Sequence, residues 1–211
     1  MTALAAQTAR FAPTDLSADI SALPASERSA LAHMIRAAQV MDALFLRQVW
    51  AGNTPMLSTL AGDDSARAQA RLRYFLINKG PWSRLDHNES FMPGVPAKPA
   101  AANFYPADAT KAEVEQWLGT LAGPARQAAT GFFTTIRRGA SGQLVAVPYS
   151  LEYQTELTLA ASHLRAAAAA TAQPTLKAFL EARAAAFLSN DYYDSDVAWM
   201  ELDATLEPTI G

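Results

Sequence analysis

The chain has 211 residues, a formal net charge of −3 and no cysteine. This length permits a buried core in one or two domains, and the mild charge without single-sign blocks argues against nucleic-acid binding and a polybasic membrane patch. The lack of cysteine excludes disulfides, thiolate metal ligands and thiol nucleophiles.

The first residues, "MTALAAQTARFAPTDL", contain one basic side chain, Arg10, and no long apolar run. They therefore make a poor signal peptide. No stretch of the chain reaches the roughly 18 apolar residues of a membrane helix. We predict a soluble, cytoplasmic chain with no membrane or nucleic-acid partner, and the periplasm is the alternative if a leader was removed.

The first long helix is predicted in "SALPASERSALAHMIRAAQVMDALFLRQVW". Pro24 and the pair Ser26-Glu27 suit its first turn. Apolar side chains recur at steps of three and four, which predicts one buried stripe. That stripe consists of Leu31, Met34, Ile35, Ala38, Met41, Phe45 and Val49.

The second predicted helix follows a break at "AGNTP". It begins at a capping aspartate, Asp63 or Asp64, and runs to Ile77. Its predicted inward side chains are Ala68, Leu72, Phe75 and Leu76. The pair Gly80-Pro81 ends it, because proline lacks the backbone donor that a helix needs.

A long loop rich in proline and aromatic residues is predicted near 81–106. It contains five prolines together with Trp82, Phe91, Phe104 and Tyr105. A disordered linker would be poor in large rings, so we expect a loop that packs on a surface through its own side chains. Such a loop either borders a cleft or is a structural wrap without a direct role.

The region after this loop carries two clear local signals. Thr110 and Glu113 form a capping-box pattern ahead of a helix, which Gly123-Pro124 is predicted to close. In "GFFTTIRRGASGQLVAVPYS", β-branched and aromatic residues flank two glycines of a turn. This pattern predicts one β-hairpin near 132–148, where Pro148 ends the pairing.

Two further helices are predicted towards the end of the chain. One runs over 150–170, with Tyr153, Leu157 and Leu164 on its inner face, and the other begins at Pro174. The predicted fold class is mainly α (α+β): a helical domain with one β-hairpin near 132–148 and a long loop near 81–106. Residues 1–211 are taken as a single region.

The chain has three histidines, His33, His87 and His163. None has the histidine partner and glutamate of a helical zinc-peptidase motif. His87 stands beside Asp86 and Glu89 in "RLDHNESF", and these three can ligate a metal only with a distant fourth ligand. The alternative is a polar turn.

Three aspartates, Asp191, Asp194 and Asp196, lie close together near the end of the chain. They can be a carboxylate cluster for a metal, but they lack the alternation and glycine of a calcium loop. The interpretation that we favour makes Asp194 and Ser195 the caps of a short helix. The residues by themselves thus give a helical domain without a complete active site.

Four segments, in this order, resemble the N-terminal part of bacterial dipeptidyl-peptidase III-like zinc peptidases, a module that is also found behind a Nudix domain in plants. They are "FLINKGPWSRLD", "KPAAANFYPADATKAEVEQWL", "TIRRGASGQLVAVPYSLEYQTEL" and "FLEARAAAFLSNDYYDSDVAWMELDATLEPTIG". The resemblance runs from about residue 11 to Gly211. Two departures are visible: Ser83 where an acidic residue is expected, and Ala101 where glycine is expected.

The resemblance implies a two-lobed metallopeptidase that releases dipeptides from the N-termini of short peptides. The family holds zinc through two histidines of a histidine-glutamate motif and a downstream glutamate, and these residues lie C-terminal to Gly211. The resemblance therefore implies no catalytic, cofactor-binding or metal-binding residue in this chain, with zinc required by the full-length protein.

Two functional hypotheses follow. In the first, the chain is the N-terminal portion of the peptidase and supplies scaffold and one wall of the substrate cleft. Its partners are then the C-terminal catalytic region of the same protein and a short peptide substrate. The expected cleft-lining residues are Trp82, Arg84, Asn103, Phe104 and Tyr105. In the second, the chain is a stand-alone helical module that binds a partner without enzymatic activity, and a weaker third idea is a metal-dependent hydrolase that uses Asp86 and His87 or the terminal aspartates.

Overall fold

The computed structural model describes residues 3–211, and helices hold more than half of them. The helices are α1 Ala3–Thr8, α2 Ala25–Val49, α3 Asn53–Ala61, α4 Ala66–Asn78, α5 Lys111–Thr120, α6 Gly123–Ala129, α7 Tyr149–Glu152, α8 Gln154–Ala170, α9 Pro174–Ser189 and α10 Tyr193–Met200. The strands are β1 Trp82–Ser83, β2 Glu89–Ser90, β3 Thr134–Arg138 and β4 Leu144–Pro148. The predicted mainly helical fold class is confirmed.

The chain divides into two compact units. The first consists of the described part of Met1–Ala18 together with Phe45–Ala107, and the second of Asp19–Leu44 and Asp108–Gly211. Helix α2 contributes residues to both units. The assignment of 1–211 to one N-terminal region stays a prediction.

The first unit is built around α3 and α4. Its buried core residues are Leu46, Leu60 and Phe75, against which Met56, Leu57, Leu72, Phe91 and Met92 pack. Helix α3 was not predicted, since "AGNTP" was interpreted as a break, but proline is tolerated in a first helical turn. Leu76, predicted to point inward, is 45% exposed.

The start of α4 corrects the predicted cap. Ser65 precedes the helix in extended conformation, and its side-chain oxygen accepts a hydrogen bond from the Ala68 backbone N–H at 3.2 Å. Asp63 instead accepts a hydrogen bond from the Ser65 backbone N–H at 2.8 Å. Aspartate therefore orders the turn before the helix, and serine caps it.

Helix α2 confirms the predicted element and part of the predicted stripe, since Met34 is buried and Leu31 and Met41 pack against the core of the second unit. Its buried positions in the second unit include Ala30, Met34, Ala37 and Leu44, at steps of four, three and seven residues. Ile35 is 51% exposed, Phe45 is 48% exposed and Ala38 is also exposed, so the prediction that these three face inward is wrong. The buried face is rotated towards small side chains because alanine allows close approach of the packed elements.

Helices α8 and α9 form most of the second unit's core. Their buried apolar side chains are Leu157, Ala160, Ala161, Leu164, Ala167, Ala168, Leu176, Phe179, Leu180, Ala184, Ala186 and Phe187. Tyr153 is also buried, as predicted, but it interrupts the predicted helix of 150–170 with φ −118° and ψ 28°. The segment is therefore two helices, α7 and α8.

The predicted hairpin of 132–148 is confirmed as the antiparallel pair β3–β4, with Thr134 opposite Pro148 and Arg138 opposite Leu144. Gly142 has φ +84°, a conformation that favours glycine, and the Gly139 N–H donates to the Gln143 carbonyl at 2.8 Å. A second hairpin lies inside the long loop and is formed by the two-residue strands β1 and β2. Gly123-Pro124, predicted to end a region, begins α6, with proline in its first turn.

Candidate functional site

The loop of 81–106 belongs to the first unit, and Trp82 packs it against the rest of that unit. This side chain is only 3% exposed, and its indole Nε1 donates a hydrogen bond to the Pro96 carbonyl at 2.9 Å. The ring of Trp50 meets it edge-on, with centroids 5.2 Å apart. Trp82 therefore fixes the loop from the inside, as expected for a packed aromatic loop rather than a linker.

A polar network follows directly after Trp82. The Ser83 hydroxyl donates to Asp86 Oδ2 at 2.6 Å and lies 2.7 Å from the Tyr74 hydroxyl. The Arg10 guanidinium donates to Asp86 Oδ1 at 2.6 Å. The Ser83 hydrogen bond, with the one from Arg10 next, holds the pKa of the Asp86 carboxyl below its usual range. Asp86 is thus an ion-pair partner, and the uncharged Ser83 suits its negative neighbour.

Arg84 lies on the surface of this turn. Its backbone N–H donates to Asn78 Oδ1 at 3.0 Å, which joins the turn to the last residue of α4. The neighbouring His87 is exposed, with φ +53°. The Arg84 guanidinium also donates to the Asn78 carbonyl at 3.4 Å, and the residue is exposed.

The other end of the loop is held by Asn103. Its side-chain Nδ2 donates to the Arg47 carbonyl at 2.9 Å, and its backbone N–H donates to the Gln48 carbonyl at 2.8 Å. Phe104 is half-buried and Tyr105 is 39% exposed. Of the five predicted cleft-lining residues, Trp82 and Asn103 hold the loop in place, while Arg84 and Tyr105 present accessible side chains.

The terminal aspartates are placed by separate contacts. Asp191 accepts a hydrogen bond from the Tyr193 backbone N–H at 3.2 Å, and Asp196 Oδ1 lies 2.7 Å from the Arg183 guanidinium. Asp194 and Asp196 belong to the first turn of α10, where the helix dipole favours carboxylates.

The predicted helix-capping role of Asp194 and Ser195 is wrong. Both lie inside α10, and the residue before the helix is Tyr192. The buried Ser195 hydroxyl donates back to the Tyr192 carbonyl at 2.8 Å. Over residues 3–211, no three His, Cys, Asp or Glu side chains are grouped so as to hold a metal ion.

Sequence reasoning did not single out Glu27 as a buried polar centre. Its carboxylate accepts from the Thr171 hydroxyl at 2.7 Å and from the Ala172 backbone N–H at 2.9 Å, and the residue is 2% exposed. Glu27 lies 144 and 145 positions before Thr171 and Ala172, so no local pattern reveals this contact. In the described part of the chain, no helix is both long and apolar enough to cross a membrane.

The chain is similar to known proteins along almost its whole length. No protein-family model matches it. Nudix hydrolase 3 of Arabidopsis thaliana is 35% identical over 97% of the chain. The solved dipeptidyl-peptidase III of Corallococcus sp. strain EGB is 60% identical over 99% of the chain, with a TM-score of 0.95. DPP III of Caldithrix abyssi is 45% identical over 96% of the chain, with a TM-score of 0.90.

These relatives are considerably longer than the matched region. The chain spans 33% of the plant protein and 39% and 38% of the two solved chains. The comparison of sequences and the comparison of folds both find the kinds of protein that the four quoted segments resemble. The predicted resemblance is therefore confirmed: the chain is similar throughout to a part of dipeptidyl-peptidase III, consistent with the N-terminal region that the sequence predicts.

Proposed function

We propose that the chain is the N-terminal, non-metal-binding portion of a zinc-dependent dipeptidyl peptidase that acts on the N-termini of short peptides. The observation that carries this proposal is the 60% identity and TM-score of 0.95 with a solved dipeptidyl-peptidase III. A shared fold does not fix activity, but identity at this level extends to side chains as well as backbone. The proposed role of the chain is to supply scaffold and one wall of the substrate cleft.

In this proposal, the residues that bind zinc and activate water lie outside this chain. A catalytic zinc with three protein ligands keeps one position for water and lowers its pKa towards neutrality. The partner is therefore the C-terminal catalytic region of the same protein. The contribution of this chain is to bind and orient the peptide, because correct placement of the reacting groups lowers the barrier.

The loop of 81–106 supports the role of a cleft wall. Its backbone is tied down at Trp82 and Asn103, while the Tyr105 ring and the Arg84 guanidinium are accessible. A peptide presents carbonyl oxygens and apolar side chains, which guanidinium and phenol groups respectively bind through hydrogen bonds and ring contact. Accessible groups on a fixed backbone suit substrate positioning.

The proposal is tested by comparing this chain with a chimera in which it replaces the matching region of the Corallococcus enzyme. We expect the chain alone to retain no stoichiometric zinc after dialysis and to release no arylamine from dipeptidyl-arylamides. We expect the chimera to bind zinc and to hydrolyse the same substrates, with the activity lost to a chelator. Stoichiometric zinc or chelator-sensitive turnover in the chain alone would contradict the proposal, as would a folded, zinc-loaded chimera without activity.

Replacing Tyr105 with alanine in the chimera is expected to raise KM for a peptide substrate several-fold and to lower the free energy of unfolding by about 1–2 kcal/mol, because part of the ring is buried. The rise in KM is expected because the side chain is 39% exposed and the change removes a ring available to substrate. Steady-state kinetics and thermal unfolding measure the two effects.

The matched control for Tyr105 is Leu85→Ala. Leu85 lies in the same loop with 43% exposure. It is not among the predicted cleft residues, so its replacement is expected to leave KM unchanged. An unchanged KM for Tyr105→Ala would show that this side chain does not line the substrate cleft.

A further inference from the structure

An apolar groove lies on the second unit beside α10. It has a volume of about 350 Å³, and its lining includes Phe179, Arg183, Asp196, Trp199, Met200 and Ile210. Phe179 and Ile210 form the floor, with exposures of 1% and 8%. Trp199 and Met200 stand at its edge, with exposures of 46% and 80%. We call this the α10 groove.

The α10 groove continues into a second depression. Thr209 and Ile210 line both, and the second, of about 260 Å³, extends to the α2 residue Ile35, which is 51% exposed. Single exposed apolar side chains are ordinary in folded proteins. A contiguous apolar surface with a tryptophan and a methionine at its edge instead marks a contact with another protein surface.

The segment of residues 190–211, which supplies five of the residues that line the α10 groove, is acidic. Residues 190–211 contain no lysine, arginine or histidine, and their acidic residues are Asp191, Asp194, Asp196, Glu201, Asp203 and Glu207. The cation of the groove is Arg183, whose guanidinium pairs with Asp196 at 2.7 Å and lies 5.5 Å from the Phe179 ring centroid. This arrangement favours a partner with an apolar centre and lysine or arginine around it.

We propose that the α10 groove docks another part of the same polypeptide, through apolar side chains flanked by basic residues. This inference rests on the proposed function. The solved Corallococcus chain contains this fold with a TM-score of 0.95, and the matched region is only 39% of that chain. A surface in the same polypeptide binds at high effective concentration, so a small groove suffices.

The experiment compares the oxidation of methionine by hydrogen peroxide in this chain and in the Corallococcus chimera. Met200 is 80% exposed in this chain, so rapid conversion to the sulfoxide is expected. In the chimera the docked segment covers the groove, and we expect the rate at Met200 to fall by about tenfold or more. Met34, at 3% exposure, is the internal control and reacts slowly in both proteins. Peptide mass spectrometry gives each rate.

The outcomes separate this inference from the proposed function. A zinc-loaded, active chimera in which Met200 reacts as fast as in the chain alone overturns the docking assignment and leaves the function standing. A zinc-loaded chimera in which Met200 is protected but no activity is found supports the docking assignment and contradicts the proposed function. Slow oxidation of Met200 in the chain alone, together with a dimeric mass in solution, would assign the groove to a second copy and overturn the proposal.

A substitution gives an independent test in the chimera. Met200→Glu adds a negative charge to an acidic segment and is expected to release the docked segment, so that chymotrypsin cleaves within residues 201–209 faster than in the unsubstituted chimera. The matched variant is Phe132→Glu, at a position in the same unit with 93% exposure, and it is expected to leave cleavage unchanged. Equal effects of the two variants would overturn the assignment.

Discussion

Replacing Trp82 with alanine is expected to lower the free energy of unfolding of the first unit by about 4 kcal/mol. The side chain is 3% exposed and packs against the ring of Trp50. Its removal leaves a large cavity, and it also leaves the Pro96 carbonyl without the indole donor. Both effects act on the anchor of the loop of 81–106.

A second variant separates the ring from its hydrogen bond. Trp82→Phe retains most of the apolar contact and loses the donor to Pro96, so we expect a loss of about 1–2 kcal/mol. Tyr105→Ala, in the same loop but at 39% exposure, is expected to lower stability by about 1–2 kcal/mol. A Trp82→Ala variant as stable as Tyr105→Ala would show that the indole is not the anchor.

Hydrogen exchange is the appropriate measurement, because the chain divides into two compact units and one melting temperature averages over both. We expect faster exchange in Trp82→Ala at the amide of Phe91, which donates to the Pro81 carbonyl at 3.1 Å. Amides within α8 and α9 report on the other unit. Equal acceleration in both places would instead indicate global unfolding.

Local chemical signals explain which elements were predictable. Thr110 is followed by a helix because its hydroxyl accepts a hydrogen bond from the Glu113 backbone N–H. The β3–β4 hairpin follows from a glycine with positive φ, Gly142, between two β-branched segments. Pro174 begins α9 because a first turn needs no proline donor. In each case the deciding interaction lies within a few residues.

Other features are decided by distant partners and were not predictable in the same way. Both faces of α2 carry apolar residues at helical spacing, so its sequence does not decide between Ile35 and Ala37 as the buried side. In the structure the Ala37 side is buried, with Ala37 at 0% exposure, because small residues permit tight packing. The break between α7 and α8 at Tyr153 likewise has no glycine or proline that would predict it.

The candidate site shows the same division. The sequence identified the loop of 81–106 by its prolines and rings, and the structure gives those rings different roles. Trp82 is an internal anchor, whereas Tyr105 is accessible. Asp86, considered as a metal ligand, is instead paired with Arg10, which lies 76 residues away. Whether the five residues line a substrate cleft stays a prediction, which the Tyr105 variant tests.

Replacing Glu27 with alanine is expected to lower the free energy of unfolding by about 3 kcal/mol at neutral pH, because it leaves buried donors without an acceptor. The Thr171 hydroxyl and the Ala172 N–H donate to this carboxylate at 2.7 and 2.9 Å. The contact joins the start of α2 to the connection between α8 and α9. Glu181→Ala is the control, since that side chain is 57% exposed and its ion pair with Lys177 spans 4.0 Å, so a change below about 0.5 kcal/mol is expected.

The Glu27 contact also predicts a dependence on pH. Burial raises the pKa of the Glu27 carboxyl, but hydrogen bonds led by those from Thr171 and Ala172 outweigh it and leave the pKa below its ordinary value. A lowered folded-state pKa stabilises the fold above the unfolded pKa of about 4.3, and this contribution is lost as pH falls through the folded value. Chemical denaturation of wild type and Glu27→Gln is therefore expected to show a stability difference that is constant from pH 7 to about pH 5 and narrows below pH 4. A difference that widens on acidification would mean that Glu27 is protonated in the fold.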